Sequence, residues 1–400
     1  MRVAIASSGL GHVTRGIETW AKDTAYGLAA QGVDTLLLHA GRGRLAPPRS
    51  GPRPAQRALA CLRRGESGAV RLAGLAPSWS WRWGLNSAYG LEQLSFWARC
   101  WPVLRRRRIQ ILHVQDPLLA RACWFFRRAG LVSTREILAH GTEEPPEFLA
   151  PLDFVQHLAP WHLEQTLAAL PPPPARWAFG PGRAWRALPN FVDTQTFRPP
   201  EPGEKSRLRR GLGIPTGDLV VGVVAAVKDT HKRIGYLIDE AAEWLDQARA
   251  GRPARVVVAG AETGETPALR RKMADRLGER GTLYLDLPHE RMPDLYRCLD
   301  LFVLPSLFEM MPISLLEALA SGLPVVVNRH PVLEWISGRG QGGAVLDLSA
   351  PGVLAGFLCG LTAEWLEAKA TGARDRAVNR FAKPLVISRY INYYQEVLNS

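Results

Sequence analysis

Two glutamates, Glu309 and Glu317, stand eight positions apart in the segment Pro305-Ser-Leu-Phe-Glu-Met-Met-Pro-Ile-Ser-Leu-Leu-Glu-Ala-Leu-Ala-Ser-Gly-Leu-Pro-Val-Val-Val327. Ionised carboxylates accept strong hydrogen bonds from hydroxyls, so a pair of them suits a hydroxyl-rich ligand. Pro312 fits the first turn of a helix, where no amide donor is needed. Glu309 is then expected on the preceding loop and Glu317 on the second helical turn. Eight helical residues rise roughly 12 Å, an upper guide to the span between the two carboxylates. That is the length of a nucleotide-sugar from sugar ring to ribose, and the helix N-terminus between the glutamates would face its phosphates. The alternative is a helix cap for one glutamate and a surface salt bridge for the other.

A basic cluster, Val227-Lys-Asp-Thr-His-Lys-Arg233, follows an apolar run and opens another predicted helix. Cations at a helix N-terminus oppose its dipole, and they make sense if a diphosphate sits there. Lys232 is the principal candidate, with Lys228 and Arg233 beside it; for Lys228 a solvated loop charge is an equal alternative. A glycine loop, Ser8-Gly-Leu-Gly11-His-Val-Thr-Arg-Gly16-Ile-Glu18, joins the first strand to the first helix, and its glycines let backbone approach phosphate closely. Gly11 and Gly16 are the candidates. His140, in Ile137-Leu-Ala-His-Gly-Thr-Glu-Glu144, ends a predicted strand and is either structural or functional. No Asp-x-Asp pair occurs, so no metal is expected to bridge a diphosphate.

These residues need elements to hold them. Short apolar runs alternate with helical patterns, which predicts parallel sheets covered by helices. Strands are expected at Val3–Ser7, Val33–His39, Ile109–Gln115, Ile137–His140, Leu219–Ala225, Arg255–Ala259, Thr282–Leu285, Leu301–Leu304 and Pro324–Val327. Helices are expected at Gly16–Gln31, Ile234–Ala250, Ala268–Arg280, Pro312–Ser321 and Val353–Trp365, with an amphipathic, tyrosine-rich helix at Val386–Leu398. Proline runs at Pro171–Pro174 and Pro199–Pro202 mark a junction near 189–200. The domains are therefore expected at 1–190 and 191–375, with 376–400 forming the last helix.

The chain has 400 residues, 46% hydrophobic and 22% charged, which excludes wholesale disorder and favours two domains. No apolar window is long enough to span a membrane, and MRVAIASSGLG is too short for a signal peptide. Five scattered cysteines predict free thiols and a reducing, cytoplasmic setting. Of the net +13, residues 1–190 carry +12, and ten of the thirteen tryptophans lie there too.

The segment around Glu309 and Glu317 resembles the signature of the family 4 glycosyltransferases: a Pro-Ser strand end, Glu, seven residues, Glu-Ala, and Gly-x-Pro-Val-Val. Leu188-Pro-Asn-Phe-Val-Asp193 with Phe197, and Pro293–Pro305, resemble the family's interdomain segment and its approach to the motif. The resemblance implies the GT-B fold, an α/β architecture of two doubly wound Rossmann-like domains facing a central cleft. It implies sugar transfer from a nucleotide-sugar with retention of anomeric configuration, without metal or other cofactor. It assigns the diphosphate to Lys232, with Arg233 or Lys228, the ribose to Glu317 and the donor sugar to Glu309. His140 would lie near that sugar, and the last helix would cross back to the first domain. Met310, Met311 and Pro312 replace the family's frequent Gly-Phe-Gly, so Met310 and Met311 would line the donor, and Pro312 has no amide to give. Val227 stands in place of the family's basic-loop arginine. Gly11-His12-Val13 resembles instead the loop of inverting, lipid-linked GT-B transferases, with His12 as general base.

The expected partners are a nucleotide-sugar and a glycan, lipid-linked or small-molecule acceptor, with no nucleic acid. Arginines beside aromatics, in Ser78-Trp-Ser-Trp-Arg-Trp83, Phe96–Arg108 and Trp124–Arg128, suggest a peripheral contact with an anionic membrane. Core tryptophans in an arginine-biased sequence are the alternative. A rival of another class is a non-catalytic membrane or nucleic-acid binding protein on a GT-B scaffold.

Overall fold

A computed structural model of the protein describes residues 1–13, 16–43, 45, 51–77, 84–170, 184–247 and 253–400. Pro171–Pro174, Arg15, Trp79, Trp81 and Trp83 lie outside the described residues. The chain forms two compact units, Met1–Asn190 with Val386–Ser400, and Phe191–Leu385. Residue 376 lies within the helix Ala363–Phe381, and the last helix, Lys383–Asn399, carries the chain into the first unit.

In the first unit, strands β1 (Arg2–Ser7), β2 (Asp34–His39), β3 (Ala55–Ala58), β4 (Ile111–Val114), β5 (Arg135–His140), β6 (Phe154–His157) and β7 (Ala184–Ala187) make one parallel sheet of order β3-β2-β1-β4-β5-β6-β7. The second unit holds β8 (Leu219–Val224), β9 (Ala254–Gly260), β10 (Gly281–Leu285), β11 (Leu301–Leu304), β12 (Val325–Asn328) and β13 (Gly343–Leu346), in the parallel order β10-β9-β8-β11-β12-β13. Central strands such as β11 and β12 are buried along their whole length, which is why they read as continuous apolar runs. In each sheet the order reverses beside one strand, β1 against β4 and β8 against β11. Ligands of open α/β sheets bind at the carboxyl ends of strands flanking such a reversal.

Three expectations shift. The helix expected over Val353–Trp365 ends at Cys359; Gly360 follows, and Thr362 caps a new helix, Ala363–Phe381, by accepting from the Trp365 amide at 3.2 Å. Pro312 is not in the first turn of its helix but at the N-cap, with φ −70° and ψ 117°, and the helix is Ile313–Ala320. Of the aromatics expected to share a face with the arginines, Trp97, Trp101 and Trp124 pack inward, Trp97 meeting Phe126 edge-on at 5.1 Å, whereas Phe125 is exposed. Arg105–Arg108 remain exposed.

The tyrosines of the last helix tie it to the first unit by long-range polar links. The Tyr390 hydroxyl donates to the Pro189 carbonyl at 2.7 Å and accepts from Gln156 at 3.0 Å. The Tyr393 hydroxyl donates to the Ala184 carbonyl at 2.5 Å, and Tyr394 pairs with His113 Nδ1 at 2.6 Å. No helix among the described residues is long and apolar enough to cross a membrane.

Candidate active site

In the second unit the loops leaving β8 and β11 meet at the reversal of strand order. The β8 loop is fastened before it reaches Lys232. Val227 is buried, and its carbonyl accepts from the Thr263 and Thr266 hydroxyls at 2.7 and 3.0 Å. This explains the absence of arginine there: the position faces the core. The Glu265 carboxylate accepts the Thr230 and Asp229 amides, which hold it below its ordinary pKa. Asp229 accepts the Gly235 amide at 2.8 Å. Between these anchors His231 and Arg233 take left-handed backbone angles, φ 76° and 53°, a conformation side chains rarely adopt unless the surroundings impose it. Arg233 is committed elsewhere: its guanidinium donates to the Leu348 carbonyl and stacks on Tyr236, 4.1 Å from the ring centre. Lys228 is half-buried, and its charge bears on Glu265.

Lys232 instead donates from Nζ to Glu309 Oε1, and His231 Nε2 lies 4.0 Å from Glu309 Oε2. The structure thus joins two of the expected site residues directly. Glu309 is buried on the loop that leaves β11, between half-buried Phe308 and Met310. Met311 is buried. Asn328, at the end of β12, ties this loop to the sheet: its amide nitrogen donates to the Leu307 carbonyl at 3.3 Å and its oxygen accepts the Leu348 amide at 3.0 Å. Glu317 lies on the second turn of Ile313–Ala320, buried, and accepts the Tyr296 hydroxyl at 2.8 Å. Burial, and then the Glu317 charge, push the Tyr296 phenol well above its ordinary pKa, so it stays a donor. Because the helix starts only at Ile313, the eight-residue helical span expected between the glutamates is half loop.

The first unit gathers a second cluster at the carboxyl end of β1 and β4. Glu92, wholly buried on the helix Ala88–Arg106, accepts from Arg64 at 2.5 Å, from the Ser8 hydroxyl at 3.1 Å and faces His12 Nε2 at 2.9 Å. Burial alone would raise its pKa, but the Arg64 and His12 hydrogen bonds hold it below the ordinary value. His12 Nδ1 is buried and has no hydrogen-bond partner among the described residues. Asp116 accepts the Ser8 amide at 2.6 Å and the Tyr89 hydroxyl at 2.7 Å, and burial raises its pKa. Glu18 is buried against Gly9, so closely that a Cβ on Gly9 would fall 2.2 Å from its carboxylate. Gly11, at φ 102°, lets the loop touch Gly41, whose Cα a Cβ would approach to 2.4 Å. Gly16 opens the helix Gly16–Ala30. Three buried carboxylates surround this loop, and its close approach to Gly41 requires a glycine at position 11, while Gly16 is exposed.

His140 ends β5 beside His157, which ends β6; their Nδ1 atoms are 3.4 Å apart, and Glu144 lies 3.5 Å from His140 Nε2. Burial drops the His140 pKa to about 4, so its ring is neutral near pH 7, and burial raises the pKa of Glu144. His140, Gly11 and Gly16 belong to the first unit; Lys228, Lys232, Arg233, Glu309, Met310, Met311 and Glu317 belong to the second.

Residues 218–362, all within the second unit, match the family described as Glycosyl transferases group 1. The second unit belongs to the group 1 glycosyl transferases. Curated relatives include the lipopolysaccharide core biosynthesis mannosyltransferase LpsB of Rhizobium meliloti, 32% identical over 157 residues, 36% of this chain and 42% of that protein. The D-inositol 3-phosphate glycosyltransferase of Acidothermus cellulolyticus is 28% identical over 219 residues, 53% of this chain and 48% of that protein. The chain thus matches less than half the length of either relative. Among solved structures, sucrose-phosphate synthase of Thermosynechococcus elongatus superposes with TM-score 0.75 at 16% identity, covering 100% of this chain and 99% of that one. Anabaena HepE, solved with UDP and glucose, gives 0.72 at 14%, covering 99% of each. At such identities the likeness speaks of fold, and the fold is GT-B.

Motif reading missed Tyr296, Asn328 and Glu265 in the group 1 domain, and Arg64, Tyr89, Glu92 and Asp116 in the first unit. Glu92 carried a signal, the one acid of a helix whose other charges are Arg99, Arg105 and Arg106. Asp116 did too, standing directly before Pro117 at a strand end. Among the described residues no three His, Cys, Asp or Glu side chains converge as a metal site requires.

Proposed function

We propose that the protein is a glycosyltransferase that moves a sugar from a nucleoside diphosphate to a hydroxyl acceptor, with retention of anomeric configuration and without a metal. The observation that carries this reading is the contact of Lys232 with Glu309 at the strand-order reversal of a group 1 glycosyl transferase domain. Each supplies half of what a donor needs. In the free protein they neutralise one another. With donor bound, the Lys232 ammonium turns to the diphosphate and stabilises the charge that develops as the sugar–phosphate bond breaks. Glu309, released, accepts hydroxyls of the donor sugar and holds its anomeric carbon in line. Glu317, fixed by Tyr296, accepts the ribose hydroxyls. Arg233 is spent on Leu348 and Tyr236, so Lys228 is the nearer assistant to Lys232. Met310 and Met311 supply apolar contact beside the sugar.

Retention is tested by proton NMR of the first-formed product: the anomeric proton should show the donor's configuration. An inverted product would favour a second reading, supported by the His12–Glu92 pair. There Glu92 holds His12 through Nε2 and leaves Nδ1 to take a proton from the acceptor hydroxyl. Activity should survive excess EDTA, since a lysine rather than a cation meets the leaving group. Loss with EDTA and recovery with Mg²⁺ or Mn²⁺ would contradict this.

A further inference from the structure

We propose that the helix Ser67–Leu75 is a membrane-docking element, which seats the strand-carboxyl end of the first unit on an anionic lipid surface. The helix buries only Ala69 and Ala73. Val70, Leu72 and Leu75 are 55%, 50% and 81% exposed, and Leu62, just upstream, is exposed as well. One exposed leucine is ordinary, but Leu72 and Leu75, three positions apart and so neighbours on one helix face, present adjacent apolar surface that water disfavours, with Val70 and Leu62 exposed nearby in the sequence. Basic residues share that stretch: residues 51–77 contain Arg53, Arg57, Arg63, Arg64 and Arg71, against Glu66 alone. Arg57 and Arg71 are exposed and form no ion pair among the described residues. Exposed aliphatics beside unpaired arginines are the make-up of an element that lies in a lipid interface, its charges complementary to anionic headgroups.

Its position in the fold gives the contact a use. The chain leaves β3 with the Leu59 amide on the His39 carbonyl, and Arg63 donates to the Ala40 carbonyl, just past the end of β2. Arg64 then grips Glu92, which also holds Ser8 and His12, just past the end of β1. The helix begins three residues later, at the same end of the sheet as this cluster. Arg105–Arg108 lie at the opposite end, where the Gln110 amide reaches the Arg2 carbonyl and Arg2 donates to the Arg107 carbonyl. Along the helix Ala88–Arg106 the rise from Glu92 to Arg106 is about 21 Å. A bilayer held by Arg105–Arg108 would therefore lie far from the carboxyl ends of the strands, whereas one held by Ser67–Leu75 lies beside them.

The test is cosedimentation of the full chain with phosphatidylcholine vesicles, with and without phosphatidylglycerol, at low and raised salt. It needs neither donor nor acceptor, so it is independent of the sugar-transfer reading. Wild type should bind the anionic vesicles and weaken with salt. The double variant Leu72→Ser, Leu75→Ser should lose about tenfold or more in partitioning, the worth of a buried leucine. Replacing Arg105–Arg108 with serine should cost much less. Leu75→Phe should bind more tightly, a gain that misfolding cannot imitate. Absent wild-type binding to anionic vesicles overturns the proposal, as does equal binding by the double leucine variant. So does a change of oligomeric state with vesicle binding intact, which would make the face a contact between copies.

Discussion

At the scale of single residues, the pairing of Lys232 with Glu309 changes what each substitution should do. In the free protein Glu309 occupies the ammonium that a diphosphate would take. Glu309→Gln should therefore leave binding of a nucleoside diphosphate unchanged or stronger, while turnover falls heavily, because sugar positioning matters most in the transition state. Calorimetry beside a turnover assay separates the two effects; a weakened diphosphate would place Glu309 at the wrong end of the donor. Tyr296→Phe removes the hydroxyl that satisfies buried Glu317. It should lower unfolding stability in urea by about 1–3 kcal/mol, the cost of a buried charged acceptor left short of a donor. No change would mean that Glu317 finds equal solvation without Tyr296. Both glutamates stood out in the sequence by their spacing, but spacing alone left a cap and a surface salt bridge open, and their roles came from the resemblance. Their partners were not legible: Tyr296 and Glu317 lie 21 positions apart and Lys232 and Glu309 lie 77 apart, so they meet only through the sheet.

Among elements, sequence patterning performs best where a strand is central. Leu301–Leu304 coincides with its expectation, and Val325–Asn328 is displaced by one residue from Pro324–Val327. It fails at edges. The strand Ala55–Ala58, Ala-Gln-Arg-Ala, is largely exposed and carries no apolar period, so nothing in it announces a strand. The helix Ser67–Leu75 likewise faces mostly water. Close backbone approach is similarly invisible locally. Gly260, ending β9, lies against the turn after β8, and a Cβ there would fall 1.6 Å from the Ala225 carbonyl oxygen. Gly260→Ala should force apart the very ends of β8 and β9 that support the Lys232 loop. A cost of about 1–3 kcal/mol in denaturant unfolding is expected, together with weaker diphosphate binding. Wild-type stability in that variant would show the approach to be less tight than described.

Over the whole molecule, the first unit holds the described histidines whose pKa values burial lowers most. His113, His140 and His157 are buried in the first unit, and burial lowers their pKa values to about 3, 4 and 3 from an ordinary 6.5. Below pH 6.5 the unfolded chain binds protons that these histidines in the fold refuse, so their contribution is complete above that pH. It declines towards pH 3–4 by about 1.4 kcal/mol per histidine for each pH unit. Buried Asp116, Glu136 and Glu144, with pKa values raised by burial, act in the opposite sense. The thermal midpoint should therefore fall from pH 7 to 5, and less steeply in His113→Gln; equal slopes would mean that His113 titrates normally. The +12 of residues 1–190 and the alternation of strands and helices made two domains and their sheets legible at this scale. The route of the last helix into the first unit was available only by resemblance. The central claim is a donor site in the second unit, organised by Lys232. Calorimetric titration of wild type and Lys232→Ala with nucleoside diphosphates tests it most directly. Wild type should bind at least one of them, and Lys232→Ala should bind it about 10- to 150-fold more weakly, the worth of a charge-assisted contact. Equal affinity in the variant, or no nucleoside diphosphate bound by the wild type, would contradict the account.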